Sequence, residues 1–472
     1  MMRHDPQWAS RSLDRKVRRH LGSAANTLIA RGNHSETAIM SPPQTPAVRL
    51  PHPYLTAYAA EPAPAPHSHR LVLAAAQPAG ATLPPQPLHN EALSFTLPAA
   101  TPGAPSAESD NTPFARARRS PHTTVSWSSA AAPSVGQLWL LAYALFTGYH
   151  AQETLRLTLD GAESSALREA ALAVQLVLPH PHLTTPAMPC PDTVWTTAEV
   201  LLSRATFWQG AGSPFGVRAA WVADPSTRLP AAPSVVEYTF TTLFPRARVH
   251  VRHPVRPPKP APGSVIYSRW IPHLDEVFSM VALDWRDAAH LAAFHRWQND
   301  PHVAKGWCQT GSVDEHRAYL RDAERDPHVL AVLGRFDDEL FGYFEVYWGA
   351  EDHLGAHYRF DDWDRGRHSL VGNSRLRGAH RVRAWWSGLM HYCFLDDPRT
   401  QRLVGEPRES NDVVAQYDRD HGFWHEGTVD LPHKRARLAM VSREQFFKLA
   451  ALHWGDESGV GEARDGKVQA KL

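Results

Sequence analysis

Cysteine is scarce in this sequence: Cys190, Cys308 and Cys393 are widely spaced within 472 residues. An odd, small number without a CxxC pair argues against a disulfide framework and for a reducing compartment. The longest apolar run, residues 138–146, is far shorter than the roughly 18 residues of a membrane-spanning helix. Charge of one sign is also lacking, because 49 Lys and Arg residues oppose 48 Asp and Glu residues. We therefore expect neither a membrane nor a nucleic-acid partner, and a small-molecule substrate instead.

Proline, alanine and serine are abundant in residues 41–133, a composition that buries too little apolar surface to order all of that segment. We predict a disordered lead over residues 1–66. A second proline-rich stretch, residues 253–264, cannot continue a helix and is predicted to link two domains. The expected domains are residues 67–252 and 265–455, followed by a polar tail at 456–472.

Hydrophobic periodicity predicts strands and helices on both sides of that link. In the first half the predicted strands are residues 69–76, 92–97, 154–159 and 235–243, and the predicted helices are 138–146, 165–178 and 193–205. In the second half the predicted strands are residues 340–348, 369–371, 403–405, 428–431 and 436–441. The predicted helices there are residues 284–297, 382–393 and 411–421, with a further one opened by the capping box of Ser312 and Glu315. This alternation indicates a mixed α/β fold.

Several ordered sequence blocks in the second half resemble a known family. They are Trp297-Gln298-Asn299-Asp300-Pro301 with Val303 and Trp307, Phe344-Glu345-Val346-Tyr347-Trp348, Asp364-Arg365-Gly366-Arg367-His368, Asp397-Pro398-Arg399-Thr400 with Arg402, Glu406-Pro407 with Asn411, Gly422-Phe423, and Leu431-Pro432 with Lys434. Together they resemble the siderophore-biosynthetic acyltransferases of the GNAT superfamily of N-acyltransferases. Among these, the fungal hydroxyornithine transacylases are the nearer match.

The resemblance implies a GNAT-type fold in the C-terminal half and a degenerate, non-catalytic copy of that fold in the N-terminal half. It implies that acyl-CoA and hydroxyornithine are the substrates and that a hydroxamate is the product. A bulky acyl group such as anhydromevalonyl or methylglutaconyl is expected for a peroxisomal member of the family, and acetyl for a cytosolic one. The alternative to an enzyme is a non-catalytic pseudo-acyltransferase that acts as a scaffold.

His368 and Glu406 are the predicted catalytic residues. An N-acyltransferase must accept a proton from the attacking nitrogen, and an imidazole titrates near working pH. Glu406 could orient that imidazole or accept the proton itself, and the sequence leaves both assignments open. The position aligned with a further family acid is Arg408, a departure that leaves the division of roles between Glu406 and His368 open.

The predicted coenzyme A site is Arg377, Gly378, Ala379 and His380, at the start of a helix. Backbone N–H groups exposed there by small residues can bind a diphosphate, and the positive end of the helix assists them. A glycine before a helix is also an ordinary turn, so the pattern alone is weak.

Glu345 is predicted to meet the ammonium group of the acceptor, because an acid on so apolar a strand needs a reason to be there. Side chains alternate between the two faces of a strand, so an outward-facing position would explain Glu345 equally well. The other predicted acceptor-binding residues are Trp297, Asp300, Trp307, Tyr347 and Asn411.

Two further chemistries are disfavoured by the sequence. His353 and His357 have the spacing of a helical metal pair, but Gly355 disfavours a helix and no general-base glutamate follows the first histidine. Cys393 lies on an apolar helical face, where a thiol is inert. We therefore expect no metal and no cysteine nucleophile.

The chain ends in Ala470-Lys471-Leu472, which is similar to the peroxisomal import signal Ser-Lys-Leu. The tripeptide predicts binding to the peroxisomal import receptor and a peroxisomal location, with the cytoplasm as the alternative. A homo-oligomer is compatible with the sequence, which specifies no oligomeric state.

Overall fold

Strands with alternating buried and exposed residues form an eight-stranded sheet in the first half of the chain. The computed structural model describes residues 47–100, 113–181, 199–223, 236–243, 249–449 and 452. The strands of the first sheet are β1 (Ala47–Arg49), β2 (Ala57–Pro62), β3 (Ser68–Leu73), β4 (Leu93–Thr96), β5 (His122–Trp127), β6 (Thr154–Asp160), β7 (Leu178–Pro179) and β8 (Glu199–Ser203). The helices of this half are α1 (Pro113–Arg119), α2 (Val135–Gly148), α3 (Ser164–Ala173) and α4 (Arg204–Trp208).

A two-stranded ribbon and a second eight-stranded sheet follow. The ribbon is β9 (Tyr238–Leu243) and β10 (Val249–Pro254). The second sheet contains β11 (Val265–Ile271), β12 (Glu276–Ala282), β13 (Val329–Phe336), β14 (Glu339–Trp348), β15 (Arg365–Val371), β16 (Arg402–Gly405), β17 (Trp424–Leu431) and β18 (Lys434–Ser442). Its helices are α5 (Ala288–Gln298), α6 (Pro301–Trp307), α7 (Val313–Arg325), α8 (Ala379–Asp396), α9 (Asp412–Asp420) and α10 (Arg443–Lys448), with 3-10 turns at His353–His357 and Ser374–Leu376.

The two sheets have the same strand order. The first is β1-β2-β3-β4-β5-β6-β8-β7, and the second is β11-β12-β13-β14-β15-β16-β18-β17. In each sheet a parallel pair lies at the same place, β5 with β6 and β15 with β16. A helix connects the two strands of each parallel pair, α2 in the first half and α8 in the second. The prediction that the N-terminal half repeats the fold of the C-terminal half is therefore confirmed.

The two halves share one hydrophobic core. A single cluster of buried residues includes members of both sheets and of α2 and α8. His391 of α8 ties the halves together, because its Nε2 donates to the backbone oxygen of Trp208 at 2.7 Å and its Nδ1 lies 2.9 Å from the hydroxyl of Tyr267. Burial lowers the pKa of His391 to about 3, so the ring is neutral. Within the described ranges, no helix combines the length and apolarity that crossing a bilayer requires.

Regular structure begins earlier than the sequence indicates. The predicted lead, residues 1–66, contains β1 and β2, in which Val48 and Tyr58 are buried. The prediction of a helix at residues 193–205 is wrong for residues 199–203, because β8 pairs there with β6. Residues 204–205 begin α4, and residues 193–198 lie outside the described residues. A short apolar run such as Val200-Leu201-Leu202 fits a buried strand or a buried helix equally well by periodicity.

The predicted linker, residues 253–264, is packed against the second sheet. Arg256 donates from Nε and Nη2 to the two carboxylate oxygens of Glu351, at 2.7 and 2.5 Å. Its Nη1 donates to the backbone oxygen of Asp362 at 2.6 Å, and its guanidinium lies 4.4 Å from the ring centroid of Trp348. A guanidinium held by this many partners fixes the segment to the fold.

Replacing Glu351 by Gln is expected to lower the free energy of unfolding by about 3 kcal/mol, because it leaves the buried guanidinium of Arg256 without a counter-charge. Urea titration followed by circular dichroism measures the change. The matched control is Glu409→Gln, since Glu409 pairs with Arg435 at 3.0 Å on the surface, and an exposed pair contributes under about 1 kcal/mol. Equal effects of the two substitutions would mean that residues 253–264 form a loose spacer after all.

Candidate active site

The parallel strands β15 and β16 separate shortly after they meet. They pair at two positions, the second of which joins Gly366 to Val404. Beyond that point β15 runs on to Val371, whereas β16 ends at Gly405. The result is a V-shaped gap between the strands, and we call the point beside Gly366 and Val404 its vertex.

The structure brings His368 and Glu406 together across this gap. His368 lies on β15 just past the vertex, Glu406 follows β16 directly, and Nε2 of His368 is 2.5 Å from Oε1 of Glu406. Nδ1 of the same ring is 3.0 Å from Oε2 of Glu345. Glu345 reaches it because the two residues stand directly opposite each other in the antiparallel pair of β14 and β15. Each ring nitrogen therefore donates to a carboxylate, and the imidazole is cationic.

The charges of Glu345, His368 and Glu406 stabilise one another. Burial by itself would lower the pKa of His368, but the charge of Glu406 and the hydrogen bonds with both carboxylates outweigh it and raise the pKa to about 10. Burial would raise the pKa of Glu406, yet the cationic ring of His368 holds it well below its usual range. Glu345 is shifted downward for the same reason, against the opposing effect of its burial. Two carboxylates and one imidazolium are thus the stable charge state at neutral pH.

Tyr347 and Lys434 complete the surroundings of Glu406. The hydroxyl of Tyr347 donates to Oε2 of Glu406 at 2.6 Å, and Nζ of Lys434 lies 3.4 Å from Oε1. The tyrosine ring lies against Gly366, its cross-strand neighbour, where a Cβ would be 2.0 Å from the ring. The glycine in the Asp364-Arg365-Gly366-Arg367-His368 block is therefore required for the approach of Tyr347.

Glu345 is bound by three donors within the protein. It is 7% exposed and accepts hydrogen bonds from the hydroxyls of Tyr319 and Tyr343, the latter at 2.9 Å, in addition to its contact with His368. A carboxylate has about four acceptor sites, so these three donors leave Glu345 one. The contact with His368 fixes the orientation of the imidazole ring, and a contact of Glu345 with the acceptor's ammonium group stays a prediction.

Helix α8 begins beside the open end of the gap. Gly378 precedes it with φ of 138°, in the region that favours glycine, and no side chain caps the helix. The first N–H groups of α8, from Ala379 and His380, therefore lack the usual side-chain acceptor. Arg377 fastens this turn to β15, because its Nη2 donates to the backbone oxygen of Val371 at 3.1 Å. The arrangement suits an anionic group such as a diphosphate.

In the first half the equivalent places are filled, as the paired strands, the residue after β6 and the start of α2 show. Its parallel strands β5 and β6 pair at five positions rather than two. Gly161 follows β6 as Glu406 follows β16, and the ring of Trp127 covers it, with Cε2 2.3 Å from where a Cβ would lie. At the start of α2, Oγ of Ser134 accepts from the backbone N of Gln137 in a capping box. Among the described residues, the separated parallel strands, the acid that follows the second of them and the uncapped start of the helix between them thus occur together in the second half.

Four further residues predicted to contact the acceptor lie around the site at different distances. The ring centroid of Trp307 is 6.2 Å from that of His368, so this side chain borders the gap. Trp297 is 2% exposed and packs in a hydrophobic cluster. Asp300 and Asn411 accept backbone N–H groups as the N-caps of α6 and α9. For all four a contact with the acceptor stays a prediction.

Sequence reasoning missed Tyr319, Tyr343 and Lys434. Tyr343 lies two residues before Glu345 on β14, on the same face, and that spacing was a usable signal. Tyr319 comes from α7, and only the tertiary fold brings it to Glu345. Lys434 belongs to one of the family-like blocks, but its reach to Glu406 depends on the pairing of β16 with β18.

The disfavoured chemistries find no support in the geometry. Within the described ranges, no group of three or more His, Cys, Asp or Glu side chains is placed to hold a metal ion. His353 and His357 lie on a 3-10 turn rather than an α-helix. Cys393 is buried, and burial raises the pKa of its thiol to about 11, which leaves it protonated and unreactive.

Comparison with known proteins gives consistent matches. The acetyltransferase (GNAT) domain family matches residues 286–431. Hydroxyornithine transacylase SID3 of Ajellomyces capsulatus is 46% identical, over 89% of this chain and 97% of that protein. The N(5)-hydroxyornithine:cis-anhydromevalonyl coenzyme A-N(5)-transacylase SIDF of Beauveria bassiana is 45% identical, over 92% of this chain and 98% of that protein. An N(6)-hydroxylysine O-acetyltransferase of Escherichia coli is 35% identical, over 52% of this chain and 71% of that protein.

Proposed function

The chain belongs to the hydroxyornithine transacylase family, and from this premise we propose that it transfers an acyl group from coenzyme A to the side-chain hydroxylamine nitrogen of hydroxyornithine. It is an acyl-CoA-dependent N-acyltransferase with the predicted GNAT-type fold. The observation that supports the reaction best is the imidazolium of His368, held between two carboxylates in an open gap between strands. The product is a hydroxamate, whose two oxygens chelate iron and so serve a siderophore.

Glu406 is the proton acceptor in this proposal. Both nitrogens of His368 already donate to carboxylates, so the ring offers no free lone pair to an incoming proton. Glu406 keeps one lone pair, on Oε2, besides those used by His368, Tyr347 and Lys434. A hydroxylamine nitrogen is weakly basic and largely uncharged, and it becomes strongly acidic only once it has attacked the carbonyl carbon. A carboxylate with a low pKa is a sufficient base at that moment.

The bonds and protons balance within the site. The nitrogen-to-carbonyl bond forms, the carbonyl-to-sulfur bond breaks, and the proton moves from nitrogen to Glu406. The departing thiolate takes a proton from the Glu406–His368 pair, which returns to its starting state. Holding both substrates in one gap supplies the positional part of the catalysis.

The donor is oriented by the start of α8. The N–H groups behind Gly378 and the positive helix end bind the diphosphate of coenzyme A in this proposal. Because Arg377 ties that turn to Val371 at the far end of β15, a pantetheine arm running along β15 brings the thioester to His368 and Glu406.

The reaction is tested by incubating the full chain with acyl-CoA and hydroxyornithine and measuring both thiol release and the coloured ferric complex of a hydroxamate. Acetyl and the larger anhydromevalonyl and methylglutaconyl donors are compared, because the donor is part of the proposal. Thiol release together with the ferric colour is the expected result. A protein that releases no thiol from any of these donors would be a non-catalytic scaffold.

Acylation of oxygen is the second candidate, favoured by the similarity to a protein named as an O-acetyltransferase. An O-acyl product releases the same thiol but forms no ferric hydroxamate. The two readouts in that assay therefore separate the candidates.

Replacing Glu345 by Gln is expected to move the basic limb of the pH–activity profile toward neutral pH. Glu345 is one of the groups that raise the pKa of His368 to about 10, so removing its charge lowers that pKa and the imidazolium is lost earlier as pH rises. In the unaltered protein this raised pKa also contributes folding stability, which is complete below the unfolded value of 6.5 and disappears as pH rises through about 10. Profiles of kcat/KM and urea midpoints between pH 6 and 11 measure both effects.

Glu339→Gln is the control for this prediction, because Glu339 lies on the same strand but pairs with Arg375 at the surface. Its profile should match that of the unaltered protein. A basic limb that stays in place in Glu345→Gln would show that Glu345 does not act through His368.

We also propose peroxisomal import through Ala470-Lys471-Leu472, which lies outside the described residues. A fluorescent protein carrying residues 456–472 at its C-terminus should colocalise with a peroxisomal marker. The same fusion without Leu472 should stay in the cytoplasm, and identical cytoplasmic distributions would refute the signal.

A further inference from the structure

A pocket lies in the first half of the chain, beside the start of β5. It holds about 650 Å³, which is within the range of pockets that bind small molecules. His122, the first residue of β5, lines it together with Arg156 of β6 and Glu199 of β8. We call it the first-half pocket.

The first-half pocket is not the counterpart of the candidate active site. That site lies beyond the end of β16, and its place in the first half is Gly161, directly after β6, where the ring of Trp127 covers it. Arg156 precedes Gly161 by five positions, which is about 16 Å along a strand. His122 stands beside Arg156 in the parallel pair. The pocket therefore lies toward the amino ends of these strands, whereas the place of the active site is at their carboxyl ends.

Glu199 has unused hydrogen-bonding capacity in this pocket. Its Oε2 is buried and has no hydrogen-bond partner within the described residues. Nη1 of Arg156 is 3.6 Å from that oxygen, and Nε2 of His122 is 3.8 Å from Oε1. Both separations are longer than a hydrogen bond. A ligand that donates to Glu199 would therefore relieve the cost of a buried acceptor without a partner.

His69 of β3 supplies a second such atom to the lining. Its Nδ1 is buried and finds no hydrogen-bond partner in the part of the chain that the structure describes. A ring nitrogen donates or accepts according to the tautomer. Buried polar atoms without partners call for an explanation, and a polar ligand in this pocket would account for both His69 and Glu199.

The fixed charges on the lining are one of each sign. The side chains of Arg156 and Glu199 are 3% and 16% exposed. Burial lowers the pKa of His122 below its usual value of 6.5, so that ring is neutral at neutral pH. An anion bound here would be repelled by Glu199, and a cation would be repelled by Arg156. A zwitterion can place its cationic group on Glu199 and its anionic group toward Arg156.

The segment that follows β4 supplies the apolar part of the lining. Leu97, Ala99 and Ala100 border the pocket there. An apolar group of a ligand is removed from water against these side chains, which is favourable. A charged group at the same place would find no counter-charge on this segment.

We propose that the first-half pocket binds a zwitterionic α-amino acid with an uncharged side chain. Its ammonium group donates to Oε2 of Glu199, and its carboxylate faces Arg156. Its side chain lies along Leu97 and Ala99. An α-amino acid carries both charges on groups bonded to one carbon, which suits the neighbouring charges of Arg156 and Glu199. The inference does not depend on the proposed acyl transfer, because the pocket and the candidate active site share no residue.

The test uses L-norleucine and two analogues that each lack one of its charges. Hexanoate has no ammonium group, and pentylamine has no carboxylate. Calorimetry with the full chain, in the absence of acyl-CoA, measures the three dissociation constants. Norleucine should bind at least about tenfold more tightly than either analogue, because each analogue leaves one charge of the pocket unmatched. A preference below about twofold, or no binding of norleucine, overturns the proposal without any variant.

Glu199→Gln should weaken the binding of norleucine at least about tenfold, because the ammonium group loses its counter-charge. The matched control is Asp160→Asn. Asp160 lies on β6 four positions after Arg156 and is exposed at the other end of that strand. The control should bind norleucine as the unaltered protein does, and equal weakening in the two variants would overturn the assignment.

Ala99→Trp tests the position of the ligand without removing a charge. The indole takes up space in the pocket, so norleucine binding should be lost while circular dichroism shows a folded protein. Binding that survives both Ala99→Trp and Glu199→Gln would place norleucine elsewhere, such as the acceptor position beside His368, and would overturn the proposal. Hydroxamate formation should persist in both variants. Its absence from the unaltered protein would overturn the proposed function and leave this inference standing.

Discussion

Replacing Glu406 by Gln is expected to lower kcat about 1,000-fold while the KM for acyl-CoA stays within about twofold. The amide keeps the shape of the side chain and can still accept from the hydroxyl of Tyr347, so the gap should keep its form. It cannot accept a proton, and it removes the charge that faces Nε2 of His368 at 2.5 Å. Initial rates of thiol release over a range of both substrates measure the two constants.

Glu409→Gln is the matched control for this substitution, three residues further along the chain. Glu409 pairs with Arg435 on the surface, where both side chains are about half exposed, and its loss should leave kcat unchanged. If Glu406→Gln retained more than about a tenth of kcat, proton acceptance by Glu406 would be refuted and His368 would regain that role.

Placing an acid at Gly378 is expected to raise the KM for acyl-CoA about 100-fold with a smaller effect on kcat. In Gly378→Asp the new carboxylate competes for the first N–H groups of α8 and repels the diphosphate of the donor. Calorimetric titration of coenzyme A and steady-state kinetics measure the loss.

Two variants separate this effect from backbone strain. Gly378→Ala introduces a Cβ at φ of 138°, 2.7 Å from the ring of His380, without adding charge, and its KM should rise much less. Ser134→Asp changes the equivalent N-cap of α2 in the first half, which has a capping box already, and should leave KM unaltered. A KM that responds equally to Gly378→Asp and Ser134→Asp would remove α8 from the donor site.

Local sequence signals predicted much of the second half correctly. The capping box of Ser312 and Glu315 opens α7 as expected, and Asn411 caps α9. These features are set by residues a few positions apart, so the sequence contains the whole interaction. The strands β11, β12 and β13 were missed, because they are defined by pairing with distant partners.

The same limit on prediction from local sequence applies to the candidate site. His368 and Glu406 could be singled out because each belongs to a distinctive block. The role of Glu345 could not be read in advance, because it depends on the register that sets Glu345 opposite His368. A one-residue slip of β14 against β15 would have turned the carboxylate to the other face.

The filled places in the first half have a consequence for how the protein can evolve. Three features of the first half stand where the second half has its candidate site. The strands β5 and β6 pair at five positions, the ring of Trp127 covers Gly161, and Ser134 caps α2. Reversing any one of them is expected to create no second acyltransferase site while the other two persist. Random mutagenesis should therefore yield more active variants through substitutions in the second half, and none in which the first half gains activity.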